Sequence, residues 1–136
     1  MKNIHHKVFK SNPELLPEIE HYVLKIITDS FNLNEEKINR IELSVAEAAA
    51  NCILHGNKND INKNVDVTVS IAKSKINITF KDEGNGFDIK SVPDPTIPEN
   101  ILKGSGRGIH IMKTLVDDIK YKFSNNGTEV TLIFSI

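Results

Sequence analysis

Residues 65–87 read VDVTVSIAKSKINITFKDEGNGF. Val65, Val67, Val69 and Ile71 alternate with Asp66, Thr68 and Ser70, and Ile76, Ile78 and Phe80 alternate with Asn77 and Thr79. A period of two marks a strand with one buried face, and β-branched and aromatic side chains pack well on a pleated surface. The KSK connection, Lys73 to Lys75, is too short for a parallel crossover, so residues 65–72 and 75–82 form an antiparallel hairpin.

Upstream, NIHHKVFK (residues 3–10) places Ile4, His6 and Val8 in alternation and predicts another strand. After SNP, the residues Leu15, Leu16, Ile19, Tyr22, Val23, Ile26 and Ile27 recur at helical spacing. They predict an amphipathic helix from Pro13 to about Ser30, with Ser11 or Asn12 near its cap. A second helix is predicted from just after Asn34 to Gly56, where glycine accepts the left-handed backbone that closes helices. Downstream, residues 84–108 hold five of the seven glycines together with Pro93, Pro95 and Pro98. That density predicts irregular backbone, and loops of such length in a compact domain are usually functional or disordered. A helix is predicted over GIHIMKTLVDD (residues 108–118), followed by strands in IKYKF and TEVTLIFSI, with Asn126 and Gly127 as turn residues. The order strand, two helices, two strands, loop, helix, two strands gives an α+β class. It is a two-layer α/β sandwich with a mostly antiparallel sheet and helices on one face.

A length of 136 residues fits one domain, residues 1–136, around a single core. A 39% hydrophobic and 26% charged composition is that of a soluble globular chain, and a net charge of −1 gives no general attraction to nucleic acid or anionic membrane. Partners are therefore expected to be recognised through specific surfaces. Cys52 is the only cysteine, so no internal disulfide forms. No stretch approaches the roughly 20 apolar residues needed to span a bilayer, and the polar start lacks the apolar run of a signal peptide. A cytoplasmic location is expected.

Three clusters carry candidate chemistry. On the second helix, Ile38, Ile41, Val45, Ala48, Ala49 and Cys52 form an apolar stripe. Arg40, Ser44, Glu47, Asn51 and His55 lie on a neighbouring one, because residues four apart share a face. Glu47 has the chemistry of a proton acceptor for a hydroxyl nucleophile and Asn51 that of a hard oxygen ligand for Mg²⁺; the same pair also fits a solvated helical face. In KDEGNGFD, Asp82 stands at a strand end before Gly84 and Gly86. That pattern fits a carboxylate reading a planar base, and equally a tight turn. In KGSGRGIHIM, Gly104, Gly106 and Gly108 lead into a helix, an arrangement whose N–H groups and dipole suit phosphate oxygens. The spacing G-x-G-x-G outside a βαβ unit is not the dinucleotide fingerprint, and no G-x-x-x-x-G-K-[ST] occurs.

The order of these clusters, with ELSVAEAAANCILHG, DEGNGF, GSGRGIHIMKTLVDD and GTEV as they stand, resembles the Bergerat-fold (GHKL) ATPases shared by histidine kinases, gyrase, Hsp90 and MutL. Within that group the chain is most similar to the small anti-sigma factor serine kinases, over nearly its whole length. The resemblance implies ATP held with Mg²⁺ between helices and sheet under a lid. It casts Glu47 as general base for a substrate serine, Asn51 as Mg²⁺ and ATP ligand, and His55 as approaching the nucleotide from the helix end. Asp82 reads the adenine amino group, with Gly84, Gly86 and Phe87 shaping and flanking its turn. Gly104, Ser105, Gly106, Arg107, Gly108 and Ile109 form the phosphate loop, and Thr128 stands near adenine. Related kinases often carry an arginine just before the loop serine; here that residue is Gly104, with Lys103 and Arg107 the nearest cations. Cys52 stands where alanine commonly follows the asparagine.

What the resemblance implies is an ATP-dependent serine/threonine kinase that binds a sigma factor and phosphorylates an anti-anti-sigma (STAS-type) partner on serine. The first helix and the lid surroundings are its contact regions, and the homodimer is the family expectation. The alternative is a non-catalytic ATP-binding module whose nucleotide state sets partner binding.

Overall fold

The alternating runs pair into a sheet. The computed structural model describes residues 3–58, 60–83, 115–124 and 127–136. Within them the strands are β1 (Asn3–Lys10), β2 (Asn64–Ile71), β3 (Lys75–Asp82), β4 (Asp118–Ser124) and β5 (Gly127–Ser135). Their order across the sheet is β1-β2-β3-β5-β4, and every neighbouring pair is antiparallel. The hairpin closes where the Ala72 N–H donates to the Lys75 carbonyl at 2.9 Å. The fold is α+β, as the order of segments predicts.

Two helices described in full supply the second layer. Asn12 accepts the Glu14 N–H at 3.0 Å and caps a 3₁₀ turn, Pro13–Leu15, that leads into α1 (Leu16–Ser30). Pro17 lies in the first turn, where its missing N–H breaks no helical bond. Asn34 accepts the Lys37 N–H at 2.8 Å and caps α2 (Glu35–Asn51), with Glu35 and Glu36 beside the positive helix end. The helical path runs on to Gly56, but as a wider π turn, Cys52–Gly56, in which the Asn57 N–H reaches the Cys52 carbonyl at 2.8 Å. Gly56 does not close it in the left-handed conformation; the positive φ falls two residues later, at Lys58 (51°). Of the helix predicted over residues 108–118, those up to 114 lie outside the described residues, as does the segment 93–101 expected to form the lid; Leu115 is helical, and β4 already begins at Asp118.

Period and face agree in α1, β2 and β3 but not in β1. There Ile4 and Val8 of the expected alternation are exposed, and Phe9, on the opposite parity, is buried with its ring centroid 5.7 Å from that of Tyr22 on α1. Ile19, Val23 and Ile27 of α1 and Ile41, Val45, Ala48 and Ala49 of α2 are buried against Val65, Val67 and Val69 of β2. Ile76, Ile78 and Phe80 of β3 and Val130, Leu132 and Phe134 of β5 belong to the same core. Ile38, expected on the α2 core stripe, is only half-buried, whereas Ser44 is fully buried and its hydroxyl donates to the Arg40 carbonyl at 2.8 Å. The other sheet face carries small polar residues: Thr68 pairs with Thr79, Thr79 pairs with Thr131, and the last two hydroxyls lie 3.0 Å apart.

Polar ties anchor α2 to the chain entering β4. Arg40 Nη2 donates to the Leu115 carbonyl at 2.9 Å, and Lys37 Nζ lies 3.5 Å from Asp117 Oδ2. Arg40 thus serves as a brace between layers. The Asp117 carboxylate accepts the Ser135 N–H at 2.7 Å, and this bond, helped by the Lys37 charge, holds its pKa below the ordinary aspartate range against a smaller opposing effect of burial.

Phe80→Ala should lower unfolding free energy by about 3 to 5 kcal/mol, since it empties a fully buried ring site. Ile4→Ala, on the exposed edge, should change it by about 0.5 kcal/mol or less; urea denaturation reads both. Because the Asp117 pKa is depressed in the folded state, its stabilisation is complete above the ordinary carboxylate range and fades as pH falls through the lowered value, below about pH 4. The gap in urea midpoint between wild type and Asp117→Asn should therefore close on acidification, and a gap independent of pH would contradict this.

Candidate functional site

The alternation of β3 does not end with its apolar residues. Ile76, Ile78 and Phe80 face the helices, and two residues on the same parity delivers Asp82 to that face. Asp82 is only 4% exposed. A buried carboxylate is unfavourable unless it is hydrogen-bonded, and here Oδ1 accepts the Thr128 N–H at 3.0 Å. Such a bond to a charged acceptor contributes about 1.5 to 3 kcal/mol. Asp82 and Thr128, predicted site residues 46 positions apart, are thus in direct contact.

Two glycines make room for this carboxylate. A Cβ on Gly56 would fall 2.0 Å from Asp82 Oδ2, and one on Gly127 would fall 2.1 Å from the Asp82 carbonyl oxygen. No side chain fits at either distance. Gly127 also has φ of 146°, which L residues with a side chain rarely adopt. Gly56 therefore stands at the helix end for close approach.

Asn57 locks the same corner. It is fully buried, its Oδ1 accepts the Glu83 N–H at 2.8 Å, and its Nδ2 donates to the Asn64 carbonyl at 3.0 Å. The Glu83 carboxylate in turn accepts the Asn64 N–H. Helix end, start of β2 and end of β3 are thereby joined through one amide.

Asn51 lies at the last position of α2, with Glu47 one turn before it; both are half-buried, and His55 is exposed within the π turn. Asn51 Nδ2 is buried with no hydrogen-bond partner among the described residues. The unpartnered atom is an N–H donor, which suits an acceptor oxygen on a ligand; a hard cation would instead take the side-chain carbonyl Oδ1. Next to it, Cys52 is buried, and desolvation followed by the nearby Asp82 charge pushes its thiol pKa well up. Asn51, Cys52, Gly56, Asp82 and Thr128 therefore occupy one corner of the fold. Gly84, Gly86, Phe87, Gly104, Ser105, Gly106, Arg107, Gly108 and Ile109, with the neighbouring cations Lys103 and Arg107, lie outside the described residues.

Residues 9–134 match the histidine kinase-like ATPase domain family. The chain belongs to that family. Among its relatives is the anti-sigma F factor of Geobacillus stearothermophilus, 36% identical over 102 residues, covering 71% of this chain and 68% of that protein. Another is the serine-protein kinase RsbW of Bacillus subtilis, 25% identical over 105 residues, covering 71% of this chain and 64% of that one. In fold the chain resembles the crystallised RsbU and RsbW domains of a Mycobacterium tuberculosis protein, with a TM-score of 0.69 at 15% identity over 97% of this chain and 32% of that one. A blue-light activated histidine kinase domain from Erythrobacter litoralis has a TM-score of 0.61 at 19% identity, over 89% of this chain and 59% of its own. The antiparallel sheet with helices on one face is thus the architecture of this ATPase family.

Gly56 and Asn57 were not foreseen as parts of the corner, whereas Gly127 lies in the GTEV motif that carries the resemblance. The parity of β3 offered a signal, since an inward Asp82 requires something without bulk opposite it.

Burial and a raised pKa keep the Cys52 thiol neutral and shielded. Ellman's reagent should titrate one thiol in urea-unfolded protein and almost none in the native protein over the same minutes. Prompt native labelling would contradict the packing of this corner.

Proposed function

We propose that this chain is an ATP-dependent serine/threonine protein kinase and anti-sigma regulator, folded as one domain over residues 1–136. The observation that supports the reading most is the juxtaposition of the buried Asp82 with Thr128 and with the helix end that carries Asn51. Relatives named anti-sigma F factor and serine-protein kinase supply the activity class.

In this reading Asp82 accepts the amino group of adenine, held in place by the Thr128 N–H. Asn51 holds Mg²⁺, which takes few protein ligands and keeps phosphate and water oxygens around it. His55, Gly84, Gly86, Phe87 and the loop from Gly104 to Ile109 complete the ATP-binding set. ATP with Mg²⁺ supplies, when bound, the phosphoryl group to be transferred. Glu47 takes the proton from the substrate serine hydroxyl, and its place one turn before Asn51 puts base and metal ligand on one helical face. Transfer of this kind depends on positioning and electrostatics, so a rigid corner is the main requirement of the protein.

The partners we assign are a sigma factor and an anti-anti-sigma protein of STAS type, with the kinase itself a homodimer. A groove of about 580 Å³ between the edge strand β1 and α1, lined by Lys7, Pro17, Tyr22 and Ile26 among others, supports α1 as a contact region. No described helix is long and apolar enough to cross a membrane; we assign the protein to the cytoplasm.

Incubation with labelled ATP, Mg²⁺ and a purified anti-anti-sigma domain should yield phosphoserine on that domain. Glu47→Ala should cut the rate by about 100-fold to 10,000-fold while calorimetry finds ATP affinity little changed. Gly104, standing where related kinases often have arginine, favours one other reading, an ATP-binding module without transfer. Nucleotide-dependent partner binding with no phosphoserine would select that module.

A further inference from the structure

The wide turn Cys52–Gly56 holds one residue more than an α-helical turn, and such turns recur at functional sites. Its effect here is local. It brings two consecutive residues, Gly56 and Asn57, against the end of β3. Gly56 meets the Asp82 carboxylate, since a Cβ there would lie 2.0 Å from Oδ2 and 2.4 Å from Cγ. Asn57 meets the next peptide, since its Oδ1 accepts the Glu83 N–H at 2.8 Å while its Nδ2 is held by the Asn64 carbonyl at 3.0 Å. From the other side the Thr128 N–H engages Oδ1 at 3.0 Å. The carboxylate is therefore bounded on one side by a backbone that admits no side chain and on the other by a fixed donor. Its supporting peptide is tied down by a fully buried amide.

We propose that Gly56 and Asn57 are positioning residues that set the orientation of Asp82 and, through it, the selectivity of the site for a 6-aminopurine. The proposal rests on the reading that Asp82 receives the adenine amino group. Side-chain groups held by packing and by a second layer of hydrogen bonds discriminate far better than mobile ones, because a displaced acceptor meets both ligands equally poorly. Asn57→Ala removes both bonds and frees the Glu83 peptide. Gly56→Ala drives a methyl group into the carboxylate. Each change alters where Asp82 points without removing Asp82.

The test uses the full chain with Mg²⁺ and two probes, ATP and purine riboside triphosphate, which lacks the 6-amino group. Calorimetry gives the ratio of their affinities in wild type, Gly56→Ala and Asn57→Ala, and amide NMR of the ligand-free proteins follows Thr128. Wild type should prefer ATP by about tenfold or more, the equivalent of one well-made hydrogen bond. Both variants should bring the ratio close to one and shift the Thr128 amide, whose partner has moved. A purely structural role would lower both affinities together and leave the ratio intact, and that result overturns the proposal, as does an unmoved Thr128 amide. If wild type shows no preference between the probes, the reading of Asp82 fails and the selectivity claim falls with it; a displaced Thr128 amide in the variants still upholds the positioning of the carboxylate. Should Gly56→Ala fail to fold, Asn57→Ala carries the same measurements.

Discussion

Burying a carboxylate at the end of a core strand constrains everything around it. Asp82 occupies a position that β3 otherwise gives to Ile76, Ile78 and Phe80, so its charge is inside the protein with little water to solvate it. The Thr128 N–H supplies a hydrogen bond, and the approach of two backbones is possible only because Gly56 and Gly127 have no side chains. Three segments distant in sequence are thereby required to meet: the end of the α2 helical path, the end of β3 and the start of β5. The carboxylate demands glycine at position 56, while the Asp82 main-chain carbonyl and a positive φ demand it at position 127.

The rest of the architecture holds this corner rigid. The central strands β2, β3 and β5 present an unbroken apolar face to α1 and α2, so β3 cannot slip by one residue without turning Asp82 outward and Phe80 with it. Arg40 and Lys37 brace the first half of α2 against Leu115 and Asp117, at the opposite end of the helix from Asn51. Asn57 joins the remaining chain ends. Helix end and strand end are thus fixed relative to one another from both directions, which is what a site that works by positioning needs.

Much of this was legible in the sequence because period and parity are local. Alternating valines and isoleucines gave the strands, and the spacing of Ile19, Val23 and Ile27 gave α1. The capping side chains Asn12 and Asn34 stand where expected. The misreadings share a cause, which is that a residue's role was taken from its own segment when a distant segment decides it. Gly56 looked like a helix terminator, but it faces Asp82 26 positions later. Ser44 and Arg40 looked like companions of Glu47 on a polar stripe; the first is buried against its own helix, and the second reaches across to Leu115. Asn57 was hidden in an asparagine-rich tract whose composition gives no hint that one amide of the series is fully buried and doubly bonded.

The functional account comes down to whether Asn51, Gly56 and Thr128 border one Mg²⁺-ATP site. Titration of isotopically labelled protein with Mg²⁺-ATP, followed by NMR at the Asn51 side-chain amide and the Gly56 and Thr128 backbone amides, measures this at all three positions at once. The account predicts that the three signals move along a single binding curve. Perturbations confined to the groove between β1 and α1, with these three amides unmoved at saturation, would contradict it.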